Sequence, residues 1–128
     1  MPGDHTEEVR GHLREALGDL ADHVEVEVLQ DDAASSSRIE TPLWDALERA
    51  VARPFPTARI NPQFIVGLTD ARIYREMGAV AYGAGLLSPR ISGGEFAQRF
   101  HGNDERIDIE SLGLTTGLYH DVCTDLLG

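Results

Sequence analysis

Two stretches of the chain hold residue types that can do chemistry. The first is Phe100-His101-Gly102-Asn103-Asp104-Glu105-Arg106. A histidine in an irregular loop beside glycine and three oxygen-bearing side chains has the makings of a metal ligand, its second ring nitrogen held by a carboxylate. The same histidine also reads as a solvated structural residue. One histidine makes no site, and composition alone favours that plainer reading. The second stretch is Gly67-Leu68-Thr69-Asp70-Ala71-Arg72. A strand that ends in glycine and passes through Thr-Asp into a helix leaves backbone amides and a hydroxyl facing open space, where a carboxylate or an oxyanion can sit. The alternative is that Thr69 or Asp70 only caps the helix. Arg72 then pairs with a substrate carboxylate or with Asp70.

Other polar groupings carry less. His5, Glu7 and Glu8 are metal-ligand types, but Val9 and Leu13 beside them make an amphipathic helix with a solvated acidic face. His120-Asp121 reads as surface, and Cys123, next to Val122 and without a histidine base nearby in sequence, reads as core rather than nucleophile. No GxSxG, CxxC, HExxH, GxGxxG or Walker pattern occurs.

The elements that must position these residues are read from periodicity. Residues 5–21 place Val9, Leu13, Leu17 and Leu20 on one helical face, with Asp4 or Thr6 as cap. In HVEVEVLQ, Val24, Val26 and Val28 alternate with Glu25 and Glu27, the pattern of a half-buried strand. Residues 30–40 are small and polar and read as a connector. Thr41-Pro42 opens a helix whose face is Leu43, Leu47, Ala50 and Val51, ended by Pro54 and Pro56. The run Phe64-Ile65-Val66-Gly67 reads as a buried strand leading into the helix ARIYREM, stopped by Gly78. Val80-Ala81-Tyr82 and Arg106–Ile109 add short extended pieces around an irregular stretch from Gly83 to Asn103. Ser111 caps a last helix with Leu114, Leu118, Val122 and Leu126 on its face. The sum is mixed α/β, with few strands for a sheet that must stand alone.

Composition bounds the setting. The 128 residues suit one ordinary domain, and 41% hydrophobic with 26% charged residues is a globular balance. Eleven basic residues, all arginine, against 22 acidic ones give a net charge of −11. Such a chain repels phosphate backbones and anionic lipid, so no nucleic-acid or membrane partner is expected. The absence of lysine excludes Schiff-base and P-loop lysine chemistry. One cysteine, no long apolar run and a polar, acidic start read as a cytoplasmic protein.

Taken in order, PLWDALERA, FIVGLTDARIYREMGAVAYG, SPR and FHGNDERIDIESL resemble the carboxy-terminal part of the aminoacylase, carboxypeptidase-G and succinyl-diaminopimelate desuccinylase family of dinuclear zinc metallopeptidases. HVEVEVLQDD resembles the end of that family's lid, or dimerisation, domain. The resemblance covers essentially the whole chain. It implies an α/β fold: residues 1–30 as a helix–strand piece of the lid domain, 31–40 as the return connector, and 41–128 as part of the catalytic-domain sheet. Residue by residue, His101 matches the family's last metal-ligand histidine, in its His-Gly-x-x-Glu-Arg segment. Thr69, Asp70 and Arg72 match the Gly-Gly-Thr-Asp-Ala-Arg turn that faces the substrate. Leu68 stands where the second glycine usually lies, and a side chain there is expected to crowd the turn.

The resemblance also implies two zinc ions in an intact enzyme. Their remaining ligands, and the glutamate that serves as general base, belong to motifs upstream of the lid domain that this sequence lacks; Glu7-Glu8 falls within the lid helix and is not that pair. A zinc site with one protein ligand neither holds the metal nor lowers the pKa of its water. The expectation is therefore a fragment of a hydrolase that cleaves amides of N-acyl amino acids or small peptides, inactive by itself, its half-built layers covered in a homodimer or by a complementing chain. The alternative is a non-catalytic binding or regulatory module that associates with a full-length relative.

Overall fold

Helices form where the sequence supplies both an apolar stripe and a capping residue. The computed structural model describes residues 5–128, which contain α1 (Thr6–Leu17), a 3-10 helix (Gly18–His23), α2 (Pro42–Ala52), α3 (Ala71–Glu76), α4 (Gly93–Ala97) and α5 (Ile109–Leu127). The chain divides into two units. One is formed by the residues up to Ser37 with Leu68–Ala81, the other by Arg38–Gly67 with Tyr82–Gly128.

In the first unit α1 starts at His5, whose backbone N–H donates to the Glu8 carboxylate at 2.9 Å, and Glu7 and Glu8 suit the positive end of the helix. Thr6, one of the two expected caps, is the first helical residue; the other, Asp4, lies outside the described residues. Gly18, at φ 52°, ends α1 and donates back to the Arg14 and Glu15 carbonyls. No residue of α1, the 3-10 helix or α3 is buried. Polar tethers hold this unit instead. Thr6 Oγ1 donates to Asp31 at 2.5 Å, Arg72 pairs with Asp32 at 2.7 Å, and Arg75 donates to the Ser35 and Ala81 carbonyls at 3.1 and 2.7 Å and to Ser37 Oγ at 3.2 Å. The connector is thereby fastened to α3.

The second unit has a core. Ala46, Leu47, Ala50 and Val51 of α2 meet Leu118 and Val122 of α5, with Leu43, Tyr82 and Leu86 among the side chains packed around them. Thr41 caps α2 by accepting from Trp44 N–H at 3.1 Å, and Pro42 occupies the first turn. Arg49–Asp125 at 2.5 Å and Arg53–Asp121 at 2.6 Å bridge the two helices at the rim. A second face of α5, spaced four residues apart, receives the extended segment from Ala84 to Ser88. Tyr119 Oη donates to Ala84 O at 2.6 Å, Thr115 Oγ1 bonds both Leu86 N and O at 3.0 Å, and Ser88 N–H donates to Ser111 Oγ at 2.8 Å. The i, i+4 rows of a helix thus meet the period of two of an extended chain.

The expected α/β fold class is overturned: the described residues are helical and contain no strand, so neither the partial catalytic-domain sheet nor the lid-domain strand forms. Alternation of side chains prescribes two faces, but a strand also needs a neighbour about 4.8 Å away to take its backbone hydrogen bonds, and none of the strand candidates has one. Val24 has extended geometry (φ −122°, ψ 123°) without pairing. Phe64, Ile65 and Val66, expected to be buried, are 71%, 70% and 105% exposed. Val80–Tyr82 and Arg106–Asp108 run irregularly, and Ile109 already belongs to α5. Three local expectations also change. Asp108, not Ser111, caps α5; α4 interrupts the stretch read as irregular; and Cys123 is exposed rather than core, because it sits one position off the Leu118–Val122 stripe. Among the described residues no helix is long and apolar enough to cross a membrane.

Candidate functional site

His101 sits in a loop that the chain strains to form. Its φ of 54° and the φ of 59° at Asp104 are left-handed values at non-glycine residues, each costing on the order of 1 kcal/mol. The loop is compensated locally. His101 N–H donates to the Glu105 carboxylate, and Arg106 donates to the Asp104 carbonyl at 3.0 Å. Upstream, Arg99 is nearly enclosed and bridges Glu95 at 2.6 Å and Asp108 at 3.2 Å. Phe96 and Phe100 meet edge to face, their centroids 4.5 Å apart. These contacts fix the ends of the loop and leave His101 itself exposed.

The base of the loop is the N-terminus of α5, where two carboxylates carry lowered pKa values. Asp108 is held below its usual range chiefly by the Ser111 hydroxyl at 2.6 Å, then by the Ser111 backbone N–H at 2.8 Å. Glu110 is lowered first by the Ser88 hydroxyl at 2.5 Å and next by Arg90. Ser88 and Ser111 are both buried, so the SPR segment is a support for α5 in this structure.

Thr69, Asp70 and Arg72 are brought together in one turn in the first unit, whereas His101 belongs to the second. Gly67, at φ 150°, adopts a backbone that only glycine takes readily. Leu68 does not crowd the turn: it is 60% exposed. Thr69 and Asp70 are exposed as well, and α3 begins with Ile73 N–H bonded to the Asp70 carbonyl at 3.0 Å rather than to a side-chain cap. Arg72 does not pair with Asp70: its guanidinium lies on Asp32 at 2.7 Å with Glu76 at 3.9 Å. Asp32 and Arg99 are the residues that sequence reasoning passed over. Glu105, read as one of the oxygen-bearing neighbours of His101, takes that residue's backbone N–H.

By themselves the described residues do not complete a zinc site. Among the described residues no group of three or more His, Cys, Asp or Glu side chains is placed to hold a metal ion, and the carboxylate nearest His101 is engaged by a backbone amide. No protein-family model, characterised protein or solved structure matches the chain.

Proposed function

We propose that this chain is the carboxy-terminal part of a zinc-dependent amidohydrolase of the aminoacylase type, acting on N-acyl amino acids or small peptides and inactive by itself. The observation that carries the reading is the unpaired Phe64–Val66 run, a strand sequence with every side chain in solvent immediately before the Thr69–Arg72 turn. An apolar run standing in solvent is a surface that further protein is expected to cover. The described residues do not supply that cover. In the completed enzyme His101 is one zinc ligand, and Thr69, Asp70 and Arg72 position the substrate's carboxylate or carbonyl oxygen. The intact enzyme would use two zinc ions.

The alternative, a non-catalytic module that binds or regulates a full-length relative, is favoured by one feature: the α2–α5 pair has its own buried core and rim ion pairs. Immunopurification from source cells separates the two. The hydrolase reading expects a product larger than 14.0 kDa that cleaves N-acetyl amino acids and loses the activity to a zinc chelator. A 14.0 kDa product without amidase activity, with or without added zinc, would support the module.

A further inference from the structure

Charge and burial are divided unequally between the two units. Residues 5–37 with Leu68–Ala81 carry eleven acidic residues against four arginines, whereas Arg38–Gly67 with Tyr82–Gly128 carries ten against seven. The second unit has a core built on Leu47, Val51, Leu118 and Val122. The first contains no buried residue among those described. Nor do its arginines neutralise it. Among the described residues, only Glu7, Asp32 and Glu76 of its eleven acids lie within 4.0 Å of an arginine nitrogen. Arg10 and Arg14 line the same cleft as Val24 and Val26, yet neither pairs with Glu25 or Glu27, and Arg10 reaches only Glu7, at 3.8 Å. Arg75 donates to hydroxyls and carbonyls and offsets no carboxylate.

We infer that the first unit is an ionic-strength switch: its own negative charge loosens it in dilute salt, and it becomes ordered as salt screens that charge, while the second unit stays folded throughout. Like charges gathered on a compact surface oppose compaction, and in this unit no core offsets them. Salt weakens attraction and repulsion alike, so the range of each decides the outcome. The repulsion acts at long range. Glu8 and Glu15 stand two turns apart on α1, a separation of about 10 Å. That lies well inside the Debye length of about 30 Å at 0.01 M salt and beyond the few ångströms reached toward 1 M. The ties that oppose it act at contact: Arg72 with Asp32 at 2.7 Å, Thr6 with Asp31 at 2.5 Å, and Arg75 with the Ala81 carbonyl at 2.7 Å. Two of these three involve an uncharged partner, which screening touches least. Salt therefore removes more of the repulsion than of the attraction. This behaviour does not rest on the hydrolase reading and holds equally for a binding module.

The test is amide exchange by NMR on the full chain in about 10 mM and about 500 mM sodium chloride, repeated with tetramethylammonium chloride. In the lower salt the amides of Leu13 and Leu17 in α1 are expected to exchange at least about tenfold faster than in the higher, while those of Leu47, Val51, Leu118 and Val122 change by less than about twofold. Both salts should act alike at equal ionic strength. A variant with Glu15→Gln, Asp19→Asn, Glu25→Gln and Glu27→Gln removes four acids that have no arginine partner, and should protect α1 already in the lower salt. Equal salt effects on the two units would reduce the response to a general action of salt on burial and overturn the inference. So would a response to sodium that tetramethylammonium does not reproduce, which would mean a bound cation. An unaltered salt response in the variant, or no protection of α1 in either salt, would overturn it as well.

Discussion

Arg72 is bound to Asp32 at 2.7 Å, so the arginine expected to meet a substrate carboxylate already holds a carboxylate of its own chain. Neighbouring Arg75 fastens Ser35, Ser37 and Ala81. The two arginines of α3 thus do related work in this chain: they anchor a connector that buries none of its apolar side chains. For Arg72 to turn to a substrate in a completed enzyme, Asp32 must be displaced or outcompeted. Removing Arg75 deletes more bonds than removing Arg72. Arg75→Ala should therefore speed proteolytic cleavage within residues 31–37 more than Arg72→Ala does, and a double-mutant cycle between Arg72 and Asp32 should give a coupling of no more than about 1 kcal/mol. Equal cleavage of both variants and wild type would show that the connector is held by something else.

The core is small, which makes each of its members count. Leu118 is 3% exposed, whereas Leu127 on the same helix is 86% exposed. Leu118→Ala should cost about 2–4 kcal/mol and Leu127→Ala less than about 0.5 kcal/mol, read as loss of helical signal in urea. Comparable losses for the two would mean that α2 and α5 do not pack as described.

Acid should release the start of α5. Asp108 and Glu110 both titrate below their ordinary values when folded, so their hydrogen bonds stabilise the fold above the unfolded carboxylate range. That contribution disappears as pH falls through the lowered folded values. Stability is expected to be flat from neutrality to about pH 5 and to fall below about pH 4. Ser111→Ala removes the largest cause at Asp108, and NMR titration should then find that carboxyl moved upward. An unchanged value would assign the depression to the backbone N–H groups and Arg99 instead of the hydroxyl.

The strain at His101 gives a test independent of metal. Its φ of 54° suits glycine, so His101→Gly should leave the fold as stable or more stable by up to about 1 kcal/mol. Glu105→Ala, which removes the acceptor of the His101 N–H, should loosen the loop and speed amide exchange at His101. Clear destabilisation by His101→Gly would show that the imidazole is structural.

Helices were legible because their determinants are local. Thr41-Pro42, the Leu47–Val51 stripe and the Leu118–Val122 stripe carry both cap and face within a few residues. The strand candidates were legible only as faces: the Val24–Val28 alternation and the Phe64–Val66 run say which side is apolar, but not whether a neighbour exists to accept the backbone bonds. The caps moved where two candidates stood close together, with Asp108 rather than Ser111 at the start of α5. At the candidate site the Thr69–Arg72 turn forms, but Asp32, drawn from a stretch with no pattern, could not have been anticipated as the partner of Arg72. Long-range ion pairs leave no periodicity to read.

The apolar Phe64–Val66 run carries the proposed reading because its side chains stand in solvent. Amide exchange on the isolated protein at Glu25–Val28 and Phe64–Val66 measures this most directly. The account predicts exchange within about tenfold of an unstructured peptide at these positions, alongside strong protection at Leu47, Val51, Leu118 and Val122. Protection at Phe64–Val66 matching that of α2 and α5 would mean that the run is already covered in the isolated chain, and the proposed hydrolase reading would lose the observation that carries it.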